Sequence, residues 1–108
     1  MSGLLAELKG FSYSKRALLD LMPYYLYVLR SIPTGRFYIG ITADMAQRLQ
    51  FHNELGKGFT ARYRPWEVVF LKEYRTKTDA LAAERRVKRW KSRAMTERLL
   101  RGEISLEF

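Results

Sequence analysis

Residues 24–41 read YYLYVLRSIPTGRFYIGI, and they decide the fold. Tyr24 to Arg30 is dense in aromatic and β-branched side chains, which suit a pleated, half-buried surface and read as a strand. Pro33, Thr34 and Gly35 supply turn chemistry. Arg36 to Ile41 then resumes the strand pattern. Two such runs joined by a short turn make an antiparallel hairpin. Within it Tyr27 and Tyr38 fall on adjacent strands, with ten residues between them. Gly40 follows Tyr38 by two, so both face the same side of the sheet. A glycine in mid-strand leaves room for a ligand or for a close-packed neighbour.

Downstream of the hairpin, Asp44 is placed to cap a helix from about Met45 to Leu55, which Gly56 ends. Met45, Leu49 and Phe51 turn inward on it. Residues 56–66, GKGFTARYRPW, read as a loop with three basic and three aromatic residues. Glu67 to Tyr74 is a third strand. Thr78 caps a longer helix, about Asp79 to Lys91, whose Ala80, Ala83, Val87 and Trp90 recur at helical spacing. Ser92 or Thr96 opens a last short helix that ends near Arg101, with Gly102 as its stop. The expected fold is α+β, an α/β sandwich of order β-β-α-β-α-α. Its three-stranded antiparallel sheet needs helices over at least one face. Residues 1–22 read as a loosely attached extension, with Met22 an alternative start. Residues 102–108 read as a tail beyond a domain at 23–101.

A chain of 108 residues is one domain, and its 47% apolar content separates it from disordered sequences. It has no cysteine, which excludes disulfides, thiolate zinc and a cysteine nucleophile. The net charge of +9 favours a polyanionic partner, nucleic acid before an anionic membrane. Residues 75–101 hold ten Lys/Arg against three acids, so they carry +7 of that charge. No apolar run approaches the roughly 18 residues of a membrane span. No secretory signal pattern is evident, so cytoplasm is the expected location.

Hydrolysis of a phosphodiester needs three things: a metal to neutralise charge, a base to make the nucleophile, and a cation for the transition state. Arg48 and His52 are four apart, so they share a helix face. Arg can clamp phosphate oxygens, and neutral His can accept a proton. In isolation such a pair also suits a solvent-facing surface. His52 is the only histidine, so no multi-histidine metal site can form. Glu84 borders the apolar stripe of the long helix, where it serves either as ion-pair partner of Lys88 or as a metal ligand. One carboxylate is enough for Mg²⁺, or for Mn²⁺, with waters and phosphates completing the shell. Lys57, Arg62, Arg64, Lys88 and Lys91 can contact phosphates. Phe59, Tyr63 and Trp66 can stack on unpaired bases or pack in the core.

Taken together, Tyr25-Leu26-Tyr27, Tyr38-Ile39-Gly40, Arg48, His52 and Glu84 resemble the GIY-YIG nuclease family, closest to its small stand-alone bacterial members. Pro23 to Ser31 resembles their opening strand. His52-Asn53 matches their His-Asn pair, and Glu84, Lys88, Trp90 and Lys91 match an E-x-x-x-K-x-W-K stretch. The resemblance spans about 23–101. It implies a divalent-metal-dependent endonuclease that acts on DNA, directed by structure more than by sequence, of repair or recombination type. Tyr27 would assist deprotonation of the attacking water, which Tyr38 would orient. Arg48 would stabilise charge on the phosphate, His52 would aid proton transfer, and Glu84 would hold a single Mg²⁺ or Mn²⁺. Two positions depart from the pattern: YLY stands for GIY, and Leu99 occupies a place where many relatives carry Asn. A binding module for DNA or RNA on the same fold, with weak or no cleavage, is the alternative.

Overall fold

In a computed structural model of the chain, the structure describes residues 22–107. Strands β1 (Tyr24–Ser31), β2 (Phe37–Thr42) and β3 (Trp66–Tyr74) form one sheet in the order β2-β1-β3, with both pairings antiparallel. Helix α1 (Met45–Gln50) runs directly into a π-helical turn, Phe51–Leu55. A single turn, α2 (Phe59–Arg62), precedes β3, and α3 (Lys77–Trp90) and α4 (Arg93–Leu100) follow it. This is the expected α+β sandwich with one element added. Sequence patterning gives α2 as loop. A tertiary contact orders it: the Trp66 indole N–H donates to the Thr60 carbonyl at 2.7 Å. The proposed extension, apart from Met22, lies outside the described residues.

β1 is the central strand and is covered on both faces, which explains its continuous apolar run. Leu26, Tyr27, Val28 and Leu29 are all fully buried. On one face Leu26, Ile39, Ile41 and Phe70 pack against Ala80, Ala83 and Val87 of α3 and Leu99 of α4. On the other, Tyr27, Leu29, Tyr38 and Trp66 pack with Met45, Leu49 and Tyr63. Helices therefore cover both sides, and each strand residue is assigned to a face by the alternation of the pleat.

The helix ends follow capping chemistry, with one correction. Asp44 accepts from the Gln47 N–H at 3.0 Å, and Ser92 from the Met95 N–H at 3.3 Å. Thr76, rather than Thr78, caps α3, accepting from the Asp79 N–H at 3.1 Å. Both threonines suit the role. The extended backbone of Thr76 (φ −135°, ψ 158°) is the geometry a cap needs. Phe51 does not turn inward with Met45 and Leu49. It opens the π turn, remains exposed, and carries the Arg48 guanidinium 4.8 Å above its ring. The residues read as a tail contribute Leu106 to the buried cluster under α3 and α4, and Lys72 pairs with Glu107 at 2.9 Å.

Candidate active site

The site is built around β1 and β2, where Tyr27 stands directly opposite Gly40. A Cβ at Gly40 would lie 2.5 Å from the Tyr27 hydroxyl and 2.7 Å from its Cζ. The missing side chain thus makes room for the tyrosine ring itself, a close-packed neighbour and not a ligand. The ring is carried across β2 toward the His52 imidazole, and the Tyr27 hydroxyl meets its Nε2 at 2.9 Å. Tyr38 completes the cluster, its ring centroid 4.8 Å from His52 and 6.3 Å from Tyr27.

The π turn presents His52. Its closure is seen in the Gly56 N–H donating to the Phe51 carbonyl at 2.6 Å. Such turns recur at functional sites because they re-aim a side chain within a helix. Arg64 fastens the turn from outside: its Nε donates to the His52 carbonyl at 2.7 Å and its Nη2 to the Gly56 carbonyl at 2.5 Å. Asn53 fastens the other side. Its amide donates to the Trp66 carbonyl at 3.1 Å and accepts from the Trp66 N–H at 2.7 Å. The adjacent His-Asn pair is therefore divided, with His52 turned to the tyrosines and Asn53 to the start of β3.

Electrostatics fix the protonation states. Burial first, then the charges of Arg48 and Arg64, push His52 down to about 4, so it is neutral at physiological pH. Burial pushes the Tyr27 phenol up; a hydrogen bond from Arg48 opposes this, and the nearby Tyr38 and Glu84 add to it. Tyr27 thus keeps its proton at neutral pH, and its hydroxyl shares a hydrogen bond with Nε2 of the neutral His52, whose Nδ1 is buried with no partner in the protein. Arg48 lies against the phenol, while its own Nε is buried with no partner in the protein. The guanidinium also lines an open pocket with Gln47 and Phe51, where its fork can meet an anion.

Glu84 comes from α3, on the opposite face of the sheet. Its side chain is only 17% exposed, and its carboxylate is close enough to raise the Tyr27 phenol. Lys88 pairs with it at 3.3 Å, one helical turn on. Among the described residues, no group of three or more His, Cys, Asp or Glu could hold a metal ion. Any cation here would have one protein carboxylate, with water and phosphate oxygens for the rest. That donor set fits Mg²⁺ or Mn²⁺ and suits neither zinc nor copper.

Of the residues expected at nucleic acid, Lys57 and Arg62 are exposed on the segment around α2, and Lys88 and Lys91 near the end of α3. Arg64 is a correction. Its guanidinium is turned inward onto two backbone carbonyls, where it orders the π turn instead of meeting a phosphate. Trp66 is likewise core, 3% exposed. Leu99 is 3% exposed beneath α4, where an unpaired amide would be destabilising. Two cations that sequence patterning does not single out, Arg36 and Arg93, line a cleft of about 380 Å³ together with Lys88 and Lys91. They lie on separate elements, with no spacing to connect them. No helix among the described residues is long and apolar enough to cross a membrane.

Comparison with known proteins places these residues in context. The family model described as the GIY-YIG catalytic domain matches residues 23–98. A UPF0213 protein of Streptococcus pneumoniae serotype 4 is 38% identical over 78 residues, covering 70% of this chain and 76% of its own length. One from Cronobacter sakazakii is 37% identical over 86 residues, covering 78% and 87%. The structure-specific endonuclease subunit slx1 of Talaromyces marneffei is 40% identical over 68 residues, which cover 56% of this chain and 18% of the fungal protein. The solution NMR structure of a UPF0213 protein from Bacillus halodurans aligns with a TM-score of 0.48 at 27% identity, over 73% of this chain and 83% of that one.

Proposed function

The chain belongs to the GIY-YIG catalytic-domain family, and from that premise we propose that it is a divalent-metal-dependent endonuclease that cleaves DNA by hydrolysis, directed by structure more than by sequence. The hydrogen bond between the Tyr27 hydroxyl and Nε2 of a neutral His52, with Arg48 against the phenol, is the observation that carries this reading. The structure-specific endonuclease among the similar proteins supports the choice of substrate. A divalent cation bound at Glu84 would neutralise charge on the scissile phosphate and acidify a nearby water.

The side chains then divide the work. A phenol held above its ordinary value cannot serve as a standing phenolate. Instead Tyr27 passes its proton to His52 Nε2 as it takes one from the attacking water. The oxygen so released attacks phosphorus, the bond from phosphorus to the leaving oxygen breaks, and that oxygen takes a proton from solvent. Tyr38, stacked beside Tyr27 and tilted against His52, orients the water or the phosphate. Arg48 donates from its guanidinium to a phosphate oxygen whose charge grows in the transition state. Glu84 would hold the cation, and Lys57, Arg62, Lys88 and Lys91 hold the flanking backbone.

The test is cleavage of supercoiled, single-stranded and branched DNA with Mg²⁺, Mn²⁺ or EDTA. Tyr27→Phe and Glu84→Ala are expected to lower the rate by about 10²-fold or more, the usual scale of a lost proton-transfer group. Cleavage in EDTA, or cleavage undiminished in both variants, would refute this site. Binding without cleavage under every condition would favour the alternative, a DNA- or RNA-binding module, which the basic cleft would also serve.

A further inference from the structure

The cleft at the open side of β2 has chemistry that the Tyr27–His52 cluster does not use. It holds about 380 Å³, near the small end of the roughly 300–1,000 Å³ typical of ligand clefts. Its cationic walls are Arg36, Lys88, Lys91 and Arg93; Val87 and Phe59 supply apolar surface, and among the described residues no acidic side chain lines it. Arg93 donates to the Gly35 carbonyl at 2.7 Å, pairs with Glu97 at 2.9 Å and lies 4.5 Å over the Phe37 ring. Arg36 lies 4.6 Å over the Tyr63 ring.

Phe59 joins this cleft to the cluster. It is 48% exposed, while its ring lies 6.5 Å from Tyr38 and 4.8 Å from Tyr63. An aromatic ring that is buttressed from behind and bare in front is a stacking platform. Lys88 joins the cleft to the carboxylate through its pair with Glu84. Lys91 is the one described non-glycine residue with positive φ, +47°. That conformation ordinarily falls to glycine, and a lysine there is less stable than a glycine would be. A helix end that needed only to stop would be better served by glycine, so the cation is explained by what the cleft receives.

We propose that this cleft is a subsite for one unpaired nucleotide next to the cleaved bond, with its base on Phe59 and its phosphate among Arg36, Lys88 and Lys91. The inference rests on the nuclease reading and adds the substrate class: DNA with a single-stranded segment beside the cut, as at a fork or flap. The volume admits one nucleotide, whereas a duplex would have to open to place a base there.

Binding measured in EDTA separates this from catalysis. The probes are a fluorescein-labelled oligothymidylate of eight nucleotides, the same backbone carrying abasic sites throughout, and a blunt duplex of eight base pairs. Fluorescence anisotropy of the wild-type protein should show the thymidylate bound at least about fivefold more tightly than the abasic strand, the lower end of one base–aromatic contact. Phe59→Leu, which keeps apolar packing, should erase that difference, and Phe59→Tyr should retain it. Lys91→Gly should weaken both single strands while raising the melting temperature, a combination that a purely structural lysine would not give. Equal binding of the thymidylate and abasic strands by the wild type would overturn the proposal. So would a Phe59→Leu protein that still distinguishes them. Loss of cleavage by the wild type with these binding differences intact would refute the nuclease reading and leave the subsite standing.

Discussion

Tyr27 keeps its proton at neutral pH and His52 stays an uncharged imidazole, and burial is the largest cause of both states. His52 therefore links stability to pH. Its folded value of about 4 lies below the ordinary 6.5, so between those values the unfolded chain binds a proton that the folded chain refuses. The resulting stability is complete above pH 6.5 and is lost as pH falls through about 4. A gap of roughly 2.5 pH units amounts to about 3 kcal/mol. Urea melts of wild type and His52→Gln at pH 7.5 and pH 4 should show the wild type losing about that much more. Equal losses would place the imidazole in a different charge state. The same neutrality sets the acid limb of the kcat/KM profile near pH 4, not near 6.5. Gly40 is as tightly determined. Its contact with the Tyr27 ring leaves no place for a methyl group, so Gly40→Ala should cost about 1–3 kcal/mol and lower Tm by several degrees. An unchanged Tm in thermal melts would mean that the ring is free to move aside.

At the scale of elements, the π turn is held by side chains distant in sequence. Arg64→Ala removes two charge-assisted hydrogen bonds and should cost about 1.5–3 kcal/mol by urea unfolding, with little effect on the salt dependence of DNA binding. Lys57→Gln should do the reverse, weakening DNA binding at nearly unchanged stability. The opposite outcome in both variants would return Arg64 to the nucleic-acid surface. This division also marks what the sequence could disclose. The hairpin, α1, β3 and α3 are legible because apolar spacing, turn residues and caps are local signals. The π turn is not legible, because one wide turn depends on Arg64 and Asn53, which local pattern does not connect to it. α2 depends in the same way on the Trp66 indole. Thr76 and Thr78 are both competent caps, and only the backbone path into α3 distinguishes them. In the site, Tyr27, Tyr38, Arg48 and His52 are legible as a motif and converge as neighbours. The actual function of the glycine, giving way to Tyr27, depends on a ring direction that spacing does not specify.

For the whole molecule, residues 75–101 carry +7 of the net charge of +9, and Lys57 and Arg62 flank or end α2. If four of these cations meet phosphates, the slope of log K against log salt on duplex DNA should be about −3.6. Fluorescence titrations over a salt series would measure it, and a slope shallower than about −1 would mean that this face does not carry the contact. The alternation of the pleat sends the two tyrosines to the α1 side, while Glu84 belongs to a helix on the other side.

Under the proposed activity, that division across a sheet only three strands wide has a geometric result. Reagents borne on two sides of a thin wall can cooperate only around one of its edges, and β2 is the edge over which the Tyr27 ring passes. A filament laid along it is reached sideways at any point of its length. Neither terminus has to be threaded, and a covalently closed circle is as vulnerable as a linear strand.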